Sequence, residues 1–118
     1  VDSQILSQPF VTEITEPLHD LAGERLRSAV REHVRSGRRA HLFDLRALVE
    51  LDSVTLGSLI RALRIVRESG GSVALIVDQP SFLRILSITG LDRVFPVFKD
   101  ETGARASFGA ADAVPALA

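Results

Sequence analysis

His41-Leu42-Phe43-Asp44-Leu45-Arg46-Ala47-Leu48-Val49-Glu50-Leu51-Asp52-Ser53-Val54-Thr55-Leu56-Gly57 is the stretch whose reading decides the fold. Its first part, from Ala40 to Leu45, is a short apolar run and reads as a buried strand. A loop follows through Val49 and Glu50. Asp52 and Ser53, residue types that favour helix N-caps, then stand directly ahead of an amphipathic pattern. Leu56, Leu59, Ile60, Leu63 and Val66 mark the apolar faces of a helix over 54–69. Arg61, Arg64 and Glu68 share its polar side at spacings of three and four.

Upstream, Pro9 to Ile14 alternates as a half-buried strand does, and Pro17 breaks it. A short edge strand is expected around Gln4-Leu6. Ala22, Leu26, Ala29, Val30, His33 and Val34 recur at helical spacing and predict a helix over 21–36, stopped at Gly37. Downstream, Gly70-Gly71 ends the second helix and Ser72 to Val77 is a buried strand. Pro80, which lacks the N–H that a first helical turn leaves free anyway, opens a short apolar helix over 81–89, ending at Gly90. Val97-Phe98 is expected as a last strand, and the Ala-rich tail from Ala104 is weakly patterned, open to a helix or to disorder.

Strand and helix thus alternate from the middle of the chain onward. That order predicts an α/β fold: a mostly parallel sheet of four or five strands with helices packed on one face. The expected organisation is a single domain over 1–118, with 1–8 and 104–118 loosely ordered.

Composition narrows the chemistry. The chain has 118 residues, a formal net charge of -1 and no cysteine, which excludes disulfides, thiolate catalysis and Cys-based zinc sites. The charge balance does not point to nucleic acid, and no apolar run is long enough for a membrane span. There is no Trp and no Tyr to stack on bases or sugars. His19, His33 and His41 form no H-x-x-x-H or H-E-x-x-H pair, and no phosphate-binding glycine loop joins a strand to a following helix. No catalytic residue, metal or cofactor is expected, and the chain reads as a cytoplasmic binding protein and not an enzyme.

The stretch at 41–57, together with the residues on either side of it, resembles a STAS domain, the fold of anti-sigma factor antagonists (anti-anti-sigma factors). Asp44-Leu45 is similar to the family's strand ending in Asp-Leu, and Asp52-Ser53-Val54-Thr55-Leu56-Gly57 to its Asp-Ser-Ser/Thr-Gly-Leu-Gly signature. Gly70-Gly71 precedes the next buried strand as it does there, and Phe82 to Asp92 resembles the family's helix and Thr-Gly-Leu turn. The resemblance runs from Pro9 to Phe98. The chain departs from the pattern at Glu16-Pro17-Leu18-His19, where Gly-x-Leu-Asp is frequent, and at Glu50, Val54 and Thr55.

The resemblance implies a sheet of four or five strands with helices on one face. It also implies a partner-switching role controlled by phosphorylation of the serine after the aspartate, here Ser53, with Thr55 as the alternative acceptor. The implied partner is an anti-sigma factor serine kinase, an ATPase of the histidine-kinase-like type. Asp52, Ser53, Val54, Thr55, Gly57, Arg61 and Arg64 are the expected partner-binding residues, and Asp44 is expected to order the loop. On local sequence alone, Asp52 or Ser53 serves equally as a plain helix cap. The competing function is a non-switching STAS subunit of a transporter or signalling scaffold, in which Ser53 only caps.

Overall fold

The computed structural model describes residues 8–108; the strand expected at Gln4-Leu6 and the tail beyond 108 lie outside them. The elements are β1 (Phe10–Glu13), α1 (Asp20–Arg35), β2 (Ala40–Asp44), α2 (Ser53–Glu68), β3 (Ser72–Ile76), α3 (Pro80–Ile88), α4 (Leu91–Val94) and β4 (Val97–Phe98). A further helix, α5, spans 101–108. The three long helices start one residue ahead of their expected positions, because each cap falls at the edge of the apolar pattern and not inside it.

The four strands lie in the order β1-β2-β3-β4, and every neighbouring pair is parallel. Phe10 pairs with His41, His41 with Val73, and Leu75 with Val97. This register sends alternate residues of the two central strands to opposite faces. Phe43, Leu45, Val73, Leu75 and Val77 face the main core, where they meet Leu26 and Val30 of α1, Leu59, Leu63 and Val66 of α2, and Phe82 and Leu86 of α3. Leu42, Leu45, Val73, Leu75 and Val77 are buried, as expected for strands covered on both sides.

The second face of the sheet is also covered. Ala40, Leu42, Ala74 and Ile76 pack against Ala104 and Phe108 of α5. Residues 104–108, for which the sequence leaves helix and disorder open, are helical. The small side chains of Ala40 and Ala74 leave room for the Phe108 ring, which removes Leu42 and Ile76 from water.

Candidate functional site

Because every strand runs the same way, α1, α2 and α3 all begin at the carboxyl edge of the sheet. The start of α2 is where the site is built. Asp52 has extended backbone and is the N-cap of α2: its Oδ1 accepts the Thr55 N–H at 2.8 Å. Its Oδ2 lies 2.7 Å from Nε2 of His19, at the start of α1. The pair is half open to water, with side-chain exposures of 49% for His19 and 34% for Asp52. The Thr55 backbone N–H, then the Thr55 side chain and His19, hold the Asp52 carboxyl below the ordinary carboxylate range.

With Asp52 on the cap, Ser53 is the first residue of the helix and is exposed. Its hydroxyl makes no hydrogen bond among the described residues. The two residues thus divide the roles that sequence leaves open between them: Asp52 caps, and Ser53 is free.

Thr55 points the other way. It is 1% exposed, and its Oγ1 accepts the Leu18 N–H at 3.1 Å. Ser58 donates its hydroxyl to the Leu18 carbonyl at 2.9 Å, so the segment before α1 is clamped onto α2 by both backbone groups of Leu18. Gly23 allows this approach: a Cβ there would lie 2.7 Å from Ser58 Oγ and 2.9 Å from the Leu18 oxygen. Thr55, expected both as the alternative acceptor and as a partner contact, is instead an interior strut.

The other expected residues share one side of α2. At 100° per residue, Ser53, Gly57, Arg61, Arg64 and Val54 fall within an arc of about 100°. Ser53, Arg61 and Arg64 are exposed, and Val54 is 52% exposed. Beside them Val49, on the loop ahead of the helix, is 93% exposed.

That loop is tied at two points. Asp44 accepts from Arg46 three times, from the backbone N–H at 3.0 Å and from the guanidinium at 3.0 and 2.8 Å. The guanidinium holds the Asp44 carboxyl below its usual range. From the opposite side Gln79, just before α3, donates to the carbonyls of Leu45 at 2.8 Å and Leu48 at 2.9 Å. Leu45, Leu48 and Leu51 anchor the same loop in the core.

His19 and Gln79 are the two site residues that sequence reading missed. Nothing in their local spacing ties His19 to a residue 33 positions on, or Gln79 to carbonyls 34 and 31 positions back.

His33 and His41 stand at the other edge of the sheet. The His33 ring lies 3.7 Å from the Phe10 ring, centroid to centroid. His41 is 1% exposed and its Nε2 meets the Arg38 carbonyl at 3.0 Å. Burial pushes both imidazoles below their ordinary value, with Arg38 adding to the effect on His33. Among the described residues no group of three His, Cys, Asp or Glu side chains could hold a metal, and no helix is long and apolar enough to cross a membrane.

The fold recurs in solved structures. A Thermotoga maritima protein described as a candidate anti-sigma factor antagonist is 22% identical, with a TM-score of 0.74 over 85% of this chain and 86% of that one. An anti-sigma factor antagonist from Mycobacterium paratuberculosis is 24% identical, with a TM-score of 0.68 over 85% of each chain. The Bacillus cell fate determinant SpoIIAA, in its phosphorylated form, is 17% identical, with a TM-score of 0.62 over 82% of this chain and 88% of that one. At such identities the likeness establishes the fold. No curated protein matches the sequence. The family model for the STAS domain matches residues 1–104, and with the parallel sheet and the capped helix start described above, the chain belongs to the STAS domain family.

Proposed function

We propose that this chain is an anti-sigma factor antagonist: a binding protein that docks on a serine-kinase anti-sigma factor and is switched off by phosphorylation of Ser53. One observation carries the reading. The Ser53 hydroxyl is exposed at the start of α2 and has no capping duty, since Asp52 performs it. The fold shared with anti-sigma factor antagonists, and with SpoIIAA in its phosphorylated form, supports it.

The docking surface is the exposed side of α2 with the loop ahead of it: Asp52, Ser53, Val54, Gly57, Arg61 and Arg64, extended by Val49. Exposed valines supply apolar area there, and the absence of a side chain at Gly57 leaves backbone open to close approach. The kinase moves the γ-phosphoryl of ATP to Ser53 Oγ, leaving ADP, while the hydroxyl proton passes to a base of the kinase. The phosphate adds about -1.5 to -2 charges at neutral pH. It falls where the free N–H groups of the first helical turn favour an anion, so the domain accommodates it. The partner must desolvate it on docking, and affinity drops.

Incubation with an anti-sigma kinase and ATP, read by intact mass, tests this. One phosphoryl group is expected on the wild type and none on Ser53→Ala. Modification of Ser53→Ala to the same extent would assign the phosphate to another hydroxyl, with Thr55 the alternative, and no modification of the wild type would leave a static binding module.

A further inference from the structure

The contact that no sequence pattern announces is the one between His19 and Asp52. It joins the starts of α1 and α2 through a 2.7 Å hydrogen bond, next to the residue proposed as the phosphate acceptor. Asp52 and Ser53 are consecutive, with Cα atoms about 3.8 Å apart. A group attached to the Ser53 hydroxyl therefore sits on the residue next to the one that His19 holds.

The surroundings of this pair are predominantly acidic, with Arg25 close to Glu16 and Leu18, and Arg61 beside Gly57, as the neighbouring cations. The segment 13–24, which carries His19, contains Glu13, Glu16, Asp20 and Glu24 and no Arg or Lys. The segment 47–60, which carries Ser53, contains Glu50 and Asp52 and again no Arg or Lys. Asp78, after β3, is a further carboxylate at the same edge of the sheet. Arg46 belongs to this edge but is engaged with Asp44 through two guanidinium nitrogens. The nearest arginine along α2, Arg61, sits two turns on, with its guanidinium beside Gly57. His19 is thus the one side chain in the two facing segments that can carry a positive charge.

We propose that His19 is a positioning residue of the switch. In the unmodified protein it holds the second oxygen of Asp52, fixing the carboxylate in the pose that caps α2. When Ser53 carries a phosphate, the imidazole N–H is shared between Asp52 and the phosphate oxygens. The dianion is a stronger acceptor than a carboxylate already occupied by the Thr55 N–H, and charge-assisted hydrogen bonds are about twice as strong as neutral ones. His19 thereby offsets the repulsion among phosphate, Asp52, Glu50 and Glu16. The modified domain keeps its fold, and the new charge is held at the docking surface.

This inference rests on the reading of Ser53 as the acceptor, and its test is independent of any kinase. Phosphoserine is installed at position 53 through a recoded codon, in protein with nitrogen-labelled histidine. The ring-nitrogen shifts of His19 are expected to move when Ser53 becomes phosphoserine, as its hydrogen-bond acceptor changes, while those of His33 and His41 stay in place. In His19→Ala, which can donate to neither Asp52 nor the phosphate, phosphoserine is expected to lower the melting temperature further than it does in wild type. His19 ring shifts unmoved by phosphoserine, or equal losses in the two proteins, would overturn the proposal; a dependence on Arg61→Gln in their place would assign the phosphate to Arg61. Failure of the acceptor reading shows separately, as absence of kinase-dependent mass on Ser53.

Discussion

The same substitution at two glycines of the two facing helices should have opposite effects. At Gly23 a new Cβ meets Ser58 Oγ at 2.7 Å and the Leu18 oxygen at 2.9 Å, well inside the about 3.5–4.0 Å at which carbon contacts are favourable. One of those atoms is backbone, and the two are hydrogen-bonded to each other at 2.9 Å. Gly23→Ala must therefore push α1 away from α2 or break that bond. Overpacking costs about 1–3 kcal/mol and a lost hydrogen bond about 1 kcal/mol, against a helix-propensity gain of about 1 kcal/mol. The net is a destabilisation of about 1–3 kcal/mol. At Gly57 the new Cβ meets, apart from the backbone of its own helix and its chain neighbours, just an Arg61 guanidinium nitrogen at 3.9 Å. Gly57→Ala should gain most of the propensity term, about 0.5–1 kcal/mol. Urea titration followed by circular dichroism should thus separate the two variants by about 2–4 kcal/mol at unchanged m-value. Two variants stabilised alike would refute the close approach of Leu18 to α2 on which the site geometry rests.

Asp52→Ala should lower the melting temperature by several degrees while Ser53→Ala leaves it near wild type, and Asp52→Asn, an equally good cap, should recover most of the loss; a thermal melt in which Ser53→Ala falls as far as Asp52→Ala would return the cap to Ser53. Acid should weaken the domain through His41. Burial depresses its folded value below the unfolded value of about 6.5, so its contribution is complete above that pH and is lost as pH falls through the folded value. Melting temperatures from pH 7 to 5 should decline less in His41→Phe than in wild type, and parallel curves would exclude His41 as the group responsible.

The long helices and central strands were legible because their burial is periodic in sequence. The stripe of Leu59, Ala62, Leu63 and Val66 and the alternation of Phe43 with Leu42 are each local patterns. Helix α5 was not legible. Its buried side is only Ala104 and Phe108, too small a signal until the sheet face it covers is known. At the site, Asp52 and Ser53 could be found but not told apart, since both residue types cap helices and only the 2.8 Å bond to Thr55 decides. Thr55 looked like a surface residue of the signature. Its turn toward the interior follows from Leu18, a partner 37 positions earlier. His19 and Gln79 were invisible for the same reason: tertiary hydrogen bonds between segments far apart leave no spacing to read.

The one-way sheet has a consequence for how this molecule moves toward its targets. Glu13, Asp44, Asp78 and Asp100 lie at or just beyond the strand ends on the edge where α1 and α2 start with Asp20 and Asp52. Arg35, Arg38, Arg39 and Arg67 gather at the opposite edge, where those helices finish, and outnumber Glu32 and Glu68 there as the carboxylates outnumber Arg46 and Lys99 at the first. A net charge of -1 therefore conceals a permanent electric dipole along the strand direction. In the field of a partner with a cationic docking patch, the molecule arrives already turned with its acidic end, and Ser53, leading. Such orientation raises the productive fraction of encounters and fades as salt shortens the screening length. Under the proposed switch, a phosphate at Ser53 would add to this dipole instead of reversing it, and so would leave the approach intact and act on the docked complex.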